Sequence, residues 1–184
     1  MSSISVPLTI VRRKENGTSV IYKRHEELGR GGFAVVYRVT NFLTGEDYAL
    51  KAIPKEKVSK PKKLSKLRSE ISIQRSLNHP NLLNSYDTFE DTMNYYIVLE
   101  LCPNNSVKDR IKAAGRLSEE ETASILKDVI SGLIYLHDNQ IIHRDLKPEN
   151  FLFGKDGKVK IADFGLSTRL YYPDERKHTV CGTP

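Results

Sequence analysis

Apolar and polar positions alternate differently in the two halves of the chain. Residues 1–20 carry no sustained periodicity and are expected to form a loose N-terminal tail. After them "YKRHEELGRG" (22–31), "AVVYRVTNF" (34–42) and "DYALKAIP" (47–54) read as strands, with "LTGE" turning between the last two. A helix is predicted over 62–77, with Leu64, Leu67, Ile71 and Leu77 on or near one face. "HPNLLNSYDTFE" (79–90) and "NYYIVLEL" (94–101) read as two further strands joined by "DTM". The first half is therefore predicted as five strands with one inserted helix.

The second half is helical at first. Ser106 and Asp109 in "SVKD" have the spacing of a capping box ahead of a short helix that Gly115 would stop. Ser118 with Glu121 predicts a second capping box, and acidic residues fill the first turn behind it. Leu126, Val129, Ile130, Leu133 and Leu136 then recur at helical spacing. "FLFGKDGKVKIA" (151–162) reads as a hairpin turning at Asp-Gly. The expected organisation is α+β: a tail over 1–20, a strand-rich lobe over 21–101, and a mainly helical remainder over 102–184.

Composition adds little to this picture. With 184 residues, 39% hydrophobic and 28% charged, the balance is that of an ordinary globular chain. Two cysteines, Cys102 and Cys181, cannot build a disulfide framework and lack metal-site spacing, which points to a reducing compartment. No apolar run approaches the roughly 18 residues of a membrane span, so a cytoplasmic or nuclear protein without a membrane partner is expected. The net charge of +6 is concentrated between Lys51 and Arg68, where eight basic residues face one acid, Glu56. That stretch holds no aromatic residue to stack on a base, so it reads as a solvated loop and helix start and argues against nucleic acid.

Three segments carry chemistry. In "LGRGGFAVV" (28–36), Gly29, Gly31 and Gly32 would let backbone amides approach phosphate oxygens, although a tight hairpin explains the same glycines. The third glycine of a G-x-G-x-x-G pattern is replaced by Ala34. In "YALK", Lys51 sits among apolar neighbours where an ammonium needs a partner, and Glu70 on the following helix offers one. In "IIHRDLKPENFLF" (141–153), His143, Arg144, Asp145, Lys147 and Asn150 crowd into eight residues between two apolar segments. Asp145 is suited to accept a hydroxyl proton, Lys147 to neutralise a transferring phosphoryl group, and Asn150 to offer oxygen to Mg²⁺. Asp163 in the following "ADFG" suits a second metal contact, and the set fits phosphoryl transfer.

In this order the motifs resemble the eukaryotic protein kinases over about residues 21–184. The resemblance implies a bilobal fold with a five-stranded antiparallel sheet and one helix in the N-lobe, and a mainly helical C-lobe left incomplete at residue 184. It implies that Leu28, Gly29, Arg30, Gly31, Gly32, Phe33, Ala34, Val35 and Val36 cover the ATP phosphates. Val36 and Ala49 would enclose adenine, Lys51 would bind phosphates, and Glu70 would hold Lys51. Leu99 would be the gatekeeper, with the backbones of Glu100 and Cys102 bonding adenine. Asp145 would be the base, and Asn150 and Asp163 would hold Mg²⁺. Lys147, two residues after Asp145, and Thr183 in "CGTP" resemble serine/threonine rather than tyrosine kinases. "GRGGFA", "EISIQRSLNHPN", "VLELC" and "DERKHTVCGTP" resemble the Polo-like kinases, whereas "LKPEN" is closer to calmodulin-dependent and Aurora-type sequences.

The implied substrates are protein Ser/Thr hydroxyls. The implied control is phosphorylation of Thr179, by an upstream kinase or in cis, with Arg144 pairing the phosphate. Members of the family continue past "CGTP" into further helices, so a fragment of a longer enzyme is expected. A catalytically silent nucleotide-binding or regulatory module, or a non-enzymatic interaction protein, would keep parts of this set, but the presence of Lys51, Asp145, Asn150 and Asp163 favours the enzyme.

Overall fold

The computed structural model describes residues 5–172, 175–176 and 181–183. These form two compact units, one running to Leu67 and resuming over Ser85–Leu101, the other made of Arg68–Asn84 and the chain from Cys102.

The first unit is a sheet of β1 (Thr9–Arg13), β2 (Ser19–Arg30), β3 (Val35–Asn41), β4 (Asp47–Pro54), β5 (Ser85–Glu90) and β6 (Asn94–Leu99). The strand order is β1-β2-β3-β4-β6-β5, antiparallel at every junction. Six strands replace the expected five, because part of the supposed tail pairs with β2 from Thr9↔Lys23 to Arg13↔Ser19. The turn between them is built by Asn16, whose Oδ1 accepts from the Thr18 amide at 3.1 Å, and by Gly17 at φ 80°. Val6 and Ile10 anchor the segment by burying in the sheet's core.

That core shows why the strands alternate as they do. Tyr22, Val35, Tyr37, Val39, Leu50, Ala52, Tyr96 and Val98 bury on one face, each large apolar side chain contributing about 1.5–3 kcal/mol. Tyr22 of β2 stacks on Phe89 of β5 at 6.1 Å, although β3, β4 and β6 lie between them in the sheet order. The sheet is therefore curled until its ends meet, and Arg12 on β1 pairs with Asp87 on β5 across the seam.

In the second unit, α2 (Val107–Ala114) begins with a complete capping box: Ser106 Oγ accepts from the Asp109 amide, and the Asp109 carboxylate accepts from the Ser106 amide. At α3 (Glu119–Asp138) Ser118 caps the Glu121 amide, but the reciprocal bond is replaced: the Glu121 carboxylate lies 2.6 Å from Arg110 Nε. The buried face of α3 is Ile125, Val129, Gly132 and Leu136, while Leu126 and Ile130 of the expected stripe are exposed. Gly132 is required by close approach, since a Cβ there would sit 3.0 Å from the Asn81 carbonyl and from Ile161 Cδ1.

The helix α1 (Pro61–Ser76) buries Leu67, Glu70, Ile73 and Gln74, so the inward residue is Ile73 rather than Ile71. Two short sheets complete the unit: β7 (Ile141–Ile142) with β10 (Thr168–Arg169), and the expected hairpin of β8 (Phe151–Phe153) with β9 (Val159–Ile161). Leu82, Leu136, Ile161 and Phe164 are at the centre of its core. Among the described residues no helix is long and apolar enough to cross a membrane.

Candidate active site

Register alone sorts the first unit's candidate residues by face. Val36 pairs with Lys51, Lys51 with Ile97, and Ala49 with Leu99, so Val36, Ala49, Lys51 and Leu99 share one side of the sheet. Val35 pairs with Ala52 on the other side and is fully buried in the aromatic core. Its side chain therefore serves packing, leaving only its backbone to the loop. Glu100 and Cys102 follow β6 and are half-buried.

The glycine loop joins β2 to β3 through a turn closed by Gly31 N–H donating to the Ala34 carbonyl at 2.9 Å. Gly29, Gly31 and Gly32 do not occupy the left-handed region. A Cβ at Gly29 or Gly32 would meet nothing within 4 Å, and one at Gly31 only the Ala34 carbonyl at 3.9 Å. Neither backbone strain nor packing demands glycine here, and the open space a Cβ would enter is what a closely approaching phosphate chain needs. At the edges of this loop Arg30 is paired with Glu27, Leu28 is exposed, and the exposed Phe33 ring lies under Lys63 Nζ at 4.5 Å.

The second unit holds the denser constellation. Its scaffold is His143, which is buried between the two short sheets and edge-on to Phe164 at 5.1 Å. Nε2 lies 3.0 Å from the Ala162 carbonyl and Nδ1 accepts from the Asp145 amide at 3.3 Å. That pattern fits a neutral ring protonated at Nε2, in keeping with burial lowering its pKa. Arg144 and Asp163 both take positive φ, 68° and 62°, conformations that non-glycine residues hold only under tertiary constraint. Arg144 Nε donates to the Leu166 carbonyl at 2.8 Å.

Asp145 is the focus. Oδ1 accepts from Thr183 Oγ1 at 2.7 Å, and Oδ2 lies 3.0 Å from Lys147 Nζ and accepts from Asn150 Nδ2 at 3.1 Å. Burial pushes its carboxyl up, but the bonds from Thr183, Lys147 and Asn150 outweigh it and hold the pKa below the ordinary range. Asp145 is therefore a carboxylate at neutral pH. Lys147 Nζ also donates to Thr183 Oγ1 at 2.6 Å, so three side chains close a ring around one hydroxyl. Asn150 is buried, and its Nδ2 also donates to the Asp145 carbonyl at 2.8 Å, which turns its amide oxygen into the atom suited to a cation.

Asp163 follows β9, and Gly165 N–H donates to its Oδ1 at 3.3 Å. A Cβ on Gly165 would lie 3.2 Å from that oxygen and 3.5 Å from Glu70 Oε2, so the buried Glu70 carboxylate borders this turn. Among the described residues no three His, Cys, Asp or Glu side chains form a metal-holding group. An amide oxygen and one carboxylate are instead the hard, sparse donor set Mg²⁺ takes when phosphates and water supply the rest. Thr179 lies outside the described residues.

Sequence reasoning placed these residues but missed the ion pair of Lys108 on α2 with Glu149 at 2.7 Å. The signal was an unpartnered carboxylate between Lys147 and Asn150; the 41-residue separation concealed its cation.

Residues 22–184 match the family described as the protein kinase domain. The chain is 45% identical over 163 residues to the serine/threonine-protein kinase polo of Drosophila melanogaster, covering 89% of this chain and 28% of that protein. It is 43% identical over 182 residues to a probable serine/threonine-protein kinase CCRP1 of Zea mays, covering 96% and 29%. It is 44% identical over 163 residues to the serine/threonine-protein kinase PLK1 of Xenopus laevis, covering 89% and 27%. The chain thus spans less than a third of the length of these relatives, several of them Polo-like kinases. With the match running from β2 through the Asp145 ring, the chain belongs to the protein kinase family.

Proposed function

We propose that this chain carries the phosphoryl-transfer residues of an ATP-dependent serine/threonine kinase of the Polo-like group. The observation that supports it most is the ionised Asp145, held by Lys147, Asn150 and Thr183. In the reaction the oxygen of a substrate hydroxyl forms a bond to the γ-phosphorus of ATP, the bond from that phosphorus to the β-bridging oxygen breaks, and ADP leaves. Asp145 orients the hydroxyl and takes its proton, for which one lone pair must be released by Thr183. Lys147 offsets charge developing on the transferring group. Asn150 and Asp163 would hold Mg²⁺, which when bound would neutralise phosphate charge. In the first unit the glycine loop and Lys51 hold the phosphates, and Val36, Ala49 and Leu99 face the base. Protein Ser/Thr hydroxyls are the substrates, and a phosphate on Thr179 from an upstream kinase or from the enzyme itself orders the segment after Asp163 by pairing with Arg144.

The test is transfer from labelled ATP to a Ser/Thr peptide, with and without chelator, alongside the rise of the melting temperature with Mg·ATP. Chelator-sensitive transfer supports the proposal. A nucleotide-dependent rise without transfer supports a silent nucleotide-binding module, and the absence of both overturns the reading.

A further inference from the structure

The lysine-rich stretch found in the sequence is absorbed by none of these roles. Lys57 lies in a short 3₁₀ turn (Lys55–Val58), Lys60 directly precedes α1, and Lys62, Lys63 and Lys66 occupy its first two turns. Lys60, Lys62, Lys63 and Lys66 are exposed and Lys57 half-exposed. Two neighbouring cations of the first unit are paired: Lys55 lies 2.9 Å from Glu90, and Arg38 is paired with Glu26 and Asp47. Among the described residues, no carboxylate pairs with Lys57, Lys60, Lys62 or Lys66.

The arrangement also runs against local helix physics. The first turn of α1 holds no acidic residue, so lysines stand where the helix's own partial positive charge disfavours them. A sequence that breaks a local rule at an exposed site is expected to gain something there.

We infer that this face of the first unit is a docking surface for an acidic protein segment, rich in Asp and Glu. Three observations select that partner. All five cations are lysines, compact point charges that suit a diffuse row of carboxylates better than the planar forks used on single phosphates. Lys60 to Lys66 spans only about 9 Å of helix axis, a few extended residues of peptide, whereas tight nucleic-acid binding neutralises roughly 6–10 phosphates. Between Lys57 and Lys66 the large apolar side chains are withdrawn from a lipid surface, since Val58 is buried and Leu64 half-buried, and nearby Phe33 is covered by Lys63. Lys63 is already engaged, donating to the Lys57 carbonyl at 3.3 Å and covering Phe33, so Lys57, Lys60, Lys62 and Lys66 carry the contact.

The experiment titrates the full chain with a fluorescent 12-residue peptide of alternating Asp and Glu, at low and at physiological salt. Lys60→Ala, Lys62→Ala and Lys66→Ala combined should raise the Kd at least tenfold, while the same three changed to Arg should restore most of the affinity. The exposed Lys112, Lys127 and Lys155 of the second unit, changed together to Ala, should have less than a twofold effect. Equal losses from the two Ala triples would reduce the effect to net charge and overturn the proposal. So would tighter binding, lost in the same variant, to single-stranded RNA or to phosphatidylserine vesicles than to the peptide.

Discussion

The glycine loop and the segment from His143 to Asn150, both proposed above to serve phosphoryl transfer, are built in opposite ways. Around Gly29 and Gly32 there is open space within 4 Å of any added Cβ. Around Asp145 each carboxylate oxygen is engaged, and the next residue inward, His143, has both ring nitrogens in bonding reach of backbone groups. A loop that must close on a ligand keeps its surroundings vacant, whereas a group that must present a fixed lone pair is surrounded before the ligand arrives. Substitutions in the loop should therefore act on the bound state, and substitutions in the segment on the free protein as well.

The largest effect that would sharpen this contrast is on chemistry. Asp145→Ala should lower kcat by about 10²- to 10⁴-fold, some 3–5 kcal/mol of transition-state stabilisation, while the Mg·ATP-dependent rise in melting temperature is kept. Loss of that rise together with kcat would mean that Asp145 acts mainly on the fold.

Next in size is the scaffold. His143→Leu leaves the Ala162 carbonyl and Asp145 amide without their ring partners, and should cost about 1–3 kcal/mol in urea unfolding. The same residue carries a pH signature. Burial lowers its pKa, so below about pH 6.5 the unfolded chain binds a proton that the folded chain refuses. Stability should be full above that pH and fall as pH drops through it toward the lowered folded value. His143→Leu should reduce the slope in this window to the share of His79, whose pKa burial also lowers, and leave the loss at lower pH that comes from Asp145 and the other carboxyls with lowered folded pKa. An unchanged slope in the variant would assign the pH dependence elsewhere.

The smallest effect on the free protein is expected in the loop. Gly29→Ala or Gly32→Ala should leave the urea midpoint of the nucleotide-free chain within about 0.5 kcal/mol of wild type, since nothing stands in the way of the new methyl group. The stabilisation by Mg·ATP should nevertheless shrink. A large loss of stability without nucleotide would show that the loop is packed after all, and the contrast would fail.

What the sequence made legible follows the range of the interactions involved. The capping box at Ser106 and the hairpin of β8 and β9 are local, and they were read correctly. The strand β1 was missed because its short run is held by Val6 and Ile10 against Tyr22, Phe89 and Tyr96, residues the pattern cannot bring together. Asn16-Gly17 was the one nearby clue. The face of α3 was misphased because Ile125, Leu126, Val129 and Ile130 supply apolar residues on both sides, so spacing alone could not tell Ile125 from Leu126. The ring formed by Thr183, Lys147 and Asp145 joins positions 36 and 38 residues apart, and only the fold shows that a residue read as a class marker touches Asp145.

The seam between β1 and β5 bears on how the protein is handled. The protein kinase domain match begins at residue 22, yet residues 6–13 help close the first unit. A fragment trimmed to residues 22–184 would remove Val6 and Ile10 from beside Tyr22 and leave β2 with an unpaired outer edge, a template for strand pairing between molecules. Concentration-dependent association of such a fragment, absent from the chain that keeps β1, would place the working boundary of this unit where its sheet closes rather than at residue 22.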